Sequence, residues 1–337
     1  MGNKATQQPR SFNTIRRSQT KVRAKRRMTQ RIVLLAMFAT VALILISLLV
    51  LGGFAIANAI INAPAPPDQG DGTTPPAPVT DVVFIQTTIA SNKVHEGELI
   101  LVNNENKYPY PDSPAGVELL CIYDYIIYKH EGNTNYRPVS KDYELDTTTL
   151  TALHTMMSQY REFDDSETFA ISSAYRDSNA QEALNSSVLP GHSDHHTGYC
   201  VAIQYFDRSN LEPNHWIYQN CYKFGFVVRY PEGKESITGV SDYKHCLRYV
   251  GVAHATYMHQ SGLCFEEYIE LLKNNYNSSA KRLSIAAADG ITYEVYYTPA
   301  SGQDVTTLDV PSNYSYTVSG DNRSGFIVTV KMTDPAA

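Results

Sequence analysis

The stretch PGHSDHHTGYCVAI, residues 190–203, sets a serine, an aspartate, three histidines and a cysteine just ahead of a short apolar run. Alternate residues of a strand share a face, so a strand through that run sends Cys200 to the same side as Ala202. Two further segments bracket it: ISSAYRDSNAQ at 171–181, which opens as a short strand over 170–174, and ITGVSDYKHCLRYVG at 237–251. Imidazole, thiolate and carboxylate are the groups that hold zinc, so these segments are where metal or acid–base chemistry would be sited.

Outward from this centre, ELILVNNENKYPYP (98–111) is predicted to run from a strand into a Pro-marked turn, and 150–160 has the apolar spacing of a helix. HWIYQNCYKFGFVVRY (215–230) begins at helical spacing and changes after Gly225 to the strand-like FVVRY. Helical periodicity returns over 264–273 with Phe265, Ile269 and Leu272. Beyond Leu283, ITYEVYYTPA and YSYTVSGDNRSGFIVTVKM alternate apolar and polar residues around SGDN and SG turns, which predicts a small β unit. The sequence contains no internal repeat.

Residues 1–31 hold ten Lys or Arg and no Asp or Glu, a basic cytoplasmic tail. Residues 32–67 carry no charge, and 32–56 are dominated by Leu, Ile, Val, Ala and Phe, enough to span a bilayer. Because Lys and Arg stay on the cytoplasmic side, the N-terminus is predicted inside and the rest of the chain outside. A cleaved signal peptide has a shorter apolar core and a shorter basic region, so an uncleaved anchor is the expectation. Residues 63–80, APAPPDQGDGTTPPAPVT, read as an extended spacer. Without the ten tail cations, 18 basic residues face 34 acidic ones, a balance that excludes nucleic acid as a partner. The five cysteines, Cys121, Cys200, Cys221, Cys246 and Cys264, lie on the exported side, where disulfides persist if the compartment is oxidising. Their spacing matches no zinc-finger pattern.

In order and spacing, the three central segments resemble the vancomycin-resistance-type D-alanyl-D-alanine carboxypeptidases (peptidase family M15B) over residues 95–275. LVNNENKYPYP before them and GLCFEEYIELL after them are also similar to that family. The resemblance implies an α+β fold, a small sheet flanked by helices as in the hedgehog signalling domain, here with one N-terminal transmembrane helix and a small C-terminal β unit. The expected organisation is a tail at 1–31, a membrane helix at 32–56, a linker at 57–84, a carboxypeptidase-like domain at 85–281 and a β-rich unit at 282–337. The family removes the terminal D-alanine of cell-wall stem peptides with zinc, which points to a single-pass membrane protein of a Gram-positive envelope.

Against the family motif Ser-x-His-x-x-Gly-x-Ala-x-Asp, this chain has Ser193, His195, Gly198, Cys200 and Ala202, keeping the histidine ligand and losing the aspartate ligand. Against Glu-Pro-Trp-His it has Tyr243, Lys244, His245 and Cys246, so the general-base position is Tyr243 and the last ligand position is Cys246. The register is fixed by Ile237, Thr238 and Gly239 upstream and by Arg248 to Gly251 downstream. A catalytic zinc needs about three protein ligands, and His195 with Cys246 supplies two. A tyrosine is mostly protonated at neutral pH and activates water poorly. The substrate half is retained: Tyr175, Arg176 and Gln181 match the segment whose Arg grips the substrate carboxylate, and Ser193 adds a polar contact. Only eight residues separate Gln181 from Pro190, where the family carries a longer insertion.

The expectation is therefore a zinc-less pseudoenzyme that binds peptidoglycan stem peptides ending in D-alanine, with no catalytic residue. The alternatives are an active metallo-D,D-carboxypeptidase with a rearranged zinc site and a structural scaffold that meets an envelope protein. Around the centre four arrangements stay open: a shifted metal site from His192, His196, His245 and Asp242; a Cys246 nucleophile with His195 as base; a Cys200–Cys246 disulfide; and free buried thiols. Arg176 either meets ligand or braces the fold through Asp177 or Asp194.

Overall fold

The structure, a computed structural model, describes residues 81–207, 209–240 and 245–333. The predicted tail, membrane helix and most of the linker, together with Asp242 and Tyr243, lie outside the described residues. Among the described residues no helix is long and apolar enough to cross a membrane.

In chain order the strands are β1 (Phe84–Ala90), β2 (Leu119–Cys121), β3 (Tyr136–Pro138), β4 (Glu144–Asp146), β5 (Phe169–Ser173), β6 (Cys200–Tyr205), β7 (Phe226–Val228), β8 (Cys246–Tyr249), β9 (Leu283–Ala286), β10 (Thr292–Pro299), β11 (Val305–Pro311), β12 (Tyr316–Gly320) and β13 (Gly325–Lys331). The main helices are α1 (Thr147–Phe163), α2 (Ser178–Ala183), α3 (Trp216–Asn220), α4 (Val252–Ser261) and α5 (Phe265–Asn275). A mixed sheet of order β3-β5-β6-β8-β7 forms the centre, and a four-stranded antiparallel sheet of order β12-β13-β10-β9 forms the C-terminal part.

α1 starts where Asp146 caps the backbone N–H of Thr149 at 2.9 Å. Its Leu150, Leu153, Met156, Met157 and Tyr160 recur at helical spacing and are buried against Ile171, Val201, Ile203 and Leu247 of the central sheet. Each such side chain contributes ~1.5–3 kcal/mol on burial, so this stripe explains why α1 lies on that face. β6 alternates accordingly: Val201 and Ile203 enter the α1 core, while Cys200 and Ala202 point to the opposite, also buried, face.

On that opposite side α4 and α5 join the two sheets. Phe265, Ile269 and Leu272 of α5 share one core with Val250 and Val227 of the centre and with Leu283, Val295 and Ile327 of the C-terminal strands. Residues 85–90 begin the expected carboxypeptidase-like domain, yet they pair along their length with β11 of the C-terminal segment. The described residues from 81 to 333 fall in a single compact unit.

The strand expected at the start of 98–111 is absent. Leu99, Ile100, Leu101 and Val102 are buried in an irregular segment in which side chains, not a strand ladder, donate to the carbonyls of 100–102. Arg248 donates to the Ile100 carbonyl at 3.0 Å, Asn322 to Leu101 at 3.0 Å and Arg229 to Val102 at 3.3 Å. Buried carbonyls need a donor of some kind, and here distant polar side chains outcompete a neighbouring strand.

Candidate functional site

β5 and the turn before β6 deliver the site residues. β5 ends at Ser173, and the chain leaves it through Tyr175 and Arg176 before Asp177 caps α2 at the N–H of Ala180 at 2.7 Å. The 3₁₀ turn Asp194–Thr197 presents His195 and closes at Gly198, φ 78°. A side chain at Gly198 would meet Leu119 at 3.0 Å and Val117 at 3.2 Å, so only glycine turns the chain into β6 here.

Arg176 lies in a cleft of about 170 Å³ whose lining includes Asn104, Ser193, His195, Tyr230 and Val240. Its guanidinium is held by neutral acceptors alone: Nε donates to Gln181 Oε1 at 3.1 Å, Nη1 to Ser173 Oγ at 2.7 Å and Nη2 to Ser193 Oγ at 3.2 Å. Among the described residues no carboxylate pairs with it. Asp177 is a helix cap and Asp194 is bound elsewhere, so neither bracing partner considered for Arg176 serves it. Gln181, buried, fixes the guanidinium and also donates to the Val188 carbonyl at 2.9 Å, closing the short loop that the sequence showed between Gln181 and Pro190. Tyr175 is not in the cleft lining: its hydroxyl donates to the Pro111 carbonyl at 2.9 Å, and burial pushes its pKa up to about 12. It anchors the 108–112 loop.

Beside this clamp, His195 Nε2 lies 3.8 Å from Cys200 Sγ and 4.0 Å from Cys246 Sγ, and the three atoms are within 4.8 Å of one another. All three residues are buried. His195 Nδ1 donates to the Ala174 carbonyl at 2.8 Å, which leaves the Nε2 lone pair turned toward the two sulfurs. Ser173 links the two features: its Oγ accepts from Arg176 and lies 3.5 Å from His195 Nδ1. The sequence reading counted His195 and Cys246 as candidate ligands; Cys200 is the third. Alternation on β6 had already placed Cys200 on the face of Ala202, and the missing signal was its convergence with His195.

One imidazole and two thiols are a donor set that fits a zinc-type cation, which binds Cys and His in tetrahedral sites. Burial pushes the Cys200 thiol well above its usual pKa, so without a cation it is neutral. Of the arrangements left open by the sequence, the Cys200–Cys246 disulfide is not formed; both cysteines are free. The register gives the reason. Cys246 is opposite Ala202, whereas Cys200 is opposite Arg248, so the two cysteines are diagonal neighbours. Diagonal residues sit ~7–8 Å apart, beyond the span that most disulfides bridge.

The shifted metal site is not assembled by its described members. His196 Nε2 accepts from the Gly191 N–H at 3.0 Å and its Nδ1 donates to the Arg176 carbonyl at 2.6 Å, while His192 Nδ1 lies 3.0 Å from the Asn103 carbonyl. Both rings hold backbone, and of the two only His192 lines the cleft.

A buried ionic layer supports the His195 turn. Asp194 accepts from Arg229 and, at 3.3 Å, from Arg248; Arg229 also meets Glu266 of α5 at 2.7 and 3.0 Å. Both arginines and Asp194 are fully buried, and two positive charges face two negative ones. Such a set compensates its own desolvation only while every member is present. The members of this network are distant in the chain and carry no spacing signal in the sequence.

The profile of the VanY family, described as D-alanyl-D-alanine carboxypeptidase, matches residues 146–252. A D-alanyl-D-alanine carboxypeptidase of Enterococcus faecium is 30% identical over 254 residues, covering 73% of this chain and 78% of its own length. A second, of Enterococcus faecalis, is 40% identical over 94 residues, 27% of this chain and 35% of its own. Among solved structures, the vancomycin-resistance D,D-dipeptidase VanXYg, determined with a D-Ala-D-Ala phosphinate analogue, aligns with a TM-score of 0.61 at 22% identity, covering 74% of this chain and 99% of that one. That likeness extends the shared mixed α+β fold beyond the profile match to most of the chain. The chain belongs to the VanY family of D-alanyl-D-alanine carboxypeptidases.

Proposed function

We propose that this protein is a membrane-anchored envelope receptor that binds peptidoglycan stem peptides ending in D-alanine and does not hydrolyse them. The observation that carries the reading is Arg176. Its three hydrogen bonds use one N–H on each nitrogen. Of the five N–H donors of a guanidinium, two are left, one on each terminal nitrogen, for a ligand carboxylate. A cation with neutral partners in a cleft is a site in want of an anion, and a peptide C-terminus supplies one. The relative solved with a D-Ala-D-Ala phosphinate analogue takes a ligand of that class; we carry the class over to this chain on the strength of the clamp.

The absence of hydrolysis is argued from the sequence: the general-base position of the family holds Tyr243, and a phenol at neutral pH does not take a proton from water effectively. A second reading, slow hydrolysis, is favoured by one observation, the convergence of His195, Cys200 and Cys246 next to the clamp. Calorimetry with a stem pentapeptide, run beside a D-alanine release assay, separates them. Saturable binding without release supports the receptor; release above background supports the second reading; no binding leaves a scaffold role. Anchoring through residues 32–56 is part of the proposal, and recovery of the protein in the alkaline-washed membrane fraction, lost on deleting those residues, tests it.

A further inference from the structure

We propose that His195, Cys200 and Cys246 form a dithiolate–imidazole site for a zinc-type dication, with Cys200 replacing, from two residues upstream on β6, the carboxylate lost at Ala202. The inference concerns ligand chemistry at the cleft floor and stands independently of what the cleft binds.

Tetrahedral zinc with Zn–S ~2.3 Å and Zn–N ~2.0–2.1 Å sets its ligand atoms ~3.5–3.8 Å apart. The two sulfur–nitrogen distances are 3.8 and 4.0 Å, so these contacts need only a few tenths of an ångström of closure around an ion. Each ligand comes from a separately anchored element. His195 sits on the turn pinned by Asp194 and its two arginines, Cys200 begins β6, and Cys246 begins β8. The Ala174 carbonyl holds the imidazole in the tautomer that presents Nε2, the outer contact that metal-bound histidines use.

The same strand geometry that disfavours a disulfide between diagonal neighbours lets both sulfurs reach one ion between them. Strand alternation also explains how the substitution is tolerated: a shift of two residues keeps the face and moves the donor along it, and the longer reach of a thiolate bond to zinc takes up part of the displacement.

The exchange changes what the site prefers and what it can do. Thiolates select zinc and softer ions over magnesium or calcium. Binding a dication releases two thiol protons to solvent and leaves a centre of zero net charge, suited to a buried position beside the Arg176 cation. Two thiolates blunt the ion's electron-withdrawing power, so the centre ties the His195 turn, β6 and β8 into one rigid cleft floor.

The test uses the full-length protein purified in detergent, reduced and stripped of metal, then titrated with cobalt(II) and followed by absorption. One equivalent should produce an intense near-ultraviolet thiolate-to-cobalt charge-transfer band, and zinc should displace it and shield two of the five thiols from a thiol reagent. Cys200→Ser and Cys246→Ser should each weaken cobalt binding by more than ~100-fold, beyond the loss typical of outer contacts. If either serine variant fails to fold by circular dichroism, the double variant Cys200→Ala/Ala202→Asp decides: it should bind cobalt with roughly half the charge-transfer intensity, from one thiolate. Arg176→Ala should leave the cobalt spectrum intact, so loss of peptide binding and loss of metal binding read out separately. No charge-transfer band in folded wild-type protein, a band unchanged in Cys200→Ser, or a Cys200–Cys246 bridge found by non-reducing peptide mapping would overturn the proposal.

Discussion

Replacing Arg176 by alanine removes the only group that the cleft, among the described residues, offers to a carboxylate as a full positive charge. Hydrogen bonds to charged groups contribute ~1.5–3 kcal/mol each in net terms. Two N–H donors are available, but Arg176 is only partly buried and water screens part of the attraction, so the loss is placed at ~2–3 kcal/mol. That is ~30–150-fold in Kd. Arg176→Lys keeps the charge but cannot reach Gln181, Ser173 and Ser193 together, and should lose about tenfold. The assay is isothermal titration with a stem pentapeptide ending in D-Ala-D-Ala and with the same peptide carrying a C-terminal amide. Wild type should prefer the acid by about the factor lost in Arg176→Ala, and the alanine variant should not distinguish the two ligands. A wild-type Kd equal for acid and amide, or an unchanged Kd in a folded Arg176→Ala variant, would show that Arg176 does not hold the peptide carboxylate.

Three other outcomes follow from the packing. Asp194→Asn leaves Arg229 with Glu266 alone and takes from Arg248 the carboxylate it contacts, and should lower stability by ~3 kcal/mol, read as a fall in Tm by circular dichroism. His254 is buried between Tyr268 at 2.7 Å and Thr329 at 3.0 Å, and burial lowers its pKa to about 3. Its folded pKa lies below the unfolded value near 6.5, so its contribution is whole above pH ~6.5 and is lost as pH falls toward 3. About 2 kcal/mol should be gone by pH 5 in denaturant titrations, and His254→Gln should flatten that slope. Gln181→Ala should weaken peptide binding less than Arg176→Ala, by about five- to tenfold in calorimetry, because it frees the guanidinium without removing it.

The elements with strong periodicity were legible from the residues. The helix read at 150–160 extends over Thr147–Phe163, the one read at 264–273 over Phe265–Asn275, and the change after Gly225 from helix to strand is where the sequence put it. What was not legible depended on partners far along the chain. Residues 99–102 have the composition of a strand, but Arg229, Arg248 and Asn322 satisfy their carbonyls, and no local pattern announces that. The pairing of β1 with β11 spans more than two hundred residues and carries no motif. In the site, the motif register located Arg176, Ser193, Gln181 and His195, which the fold brings around one cleft, together with Tyr175, which the fold instead places outside the cleft lining. Cys200 escaped as a ligand because a motif is read position by position, whereas a side chain two residues away on the same face can occupy nearly the same space.

Whether the domain recognises its ligand without cutting it is tested most directly in one vessel: full-length protein in detergent, with zinc supplied, titrated calorimetrically with the stem pentapeptide while free D-alanine is quantified. The expected result is a saturable isotherm near one peptide per chain, with D-alanine no higher than in the protein-free control. D-alanine accumulating over many turnovers, or no binding heat at millimolar peptide, would contradict it.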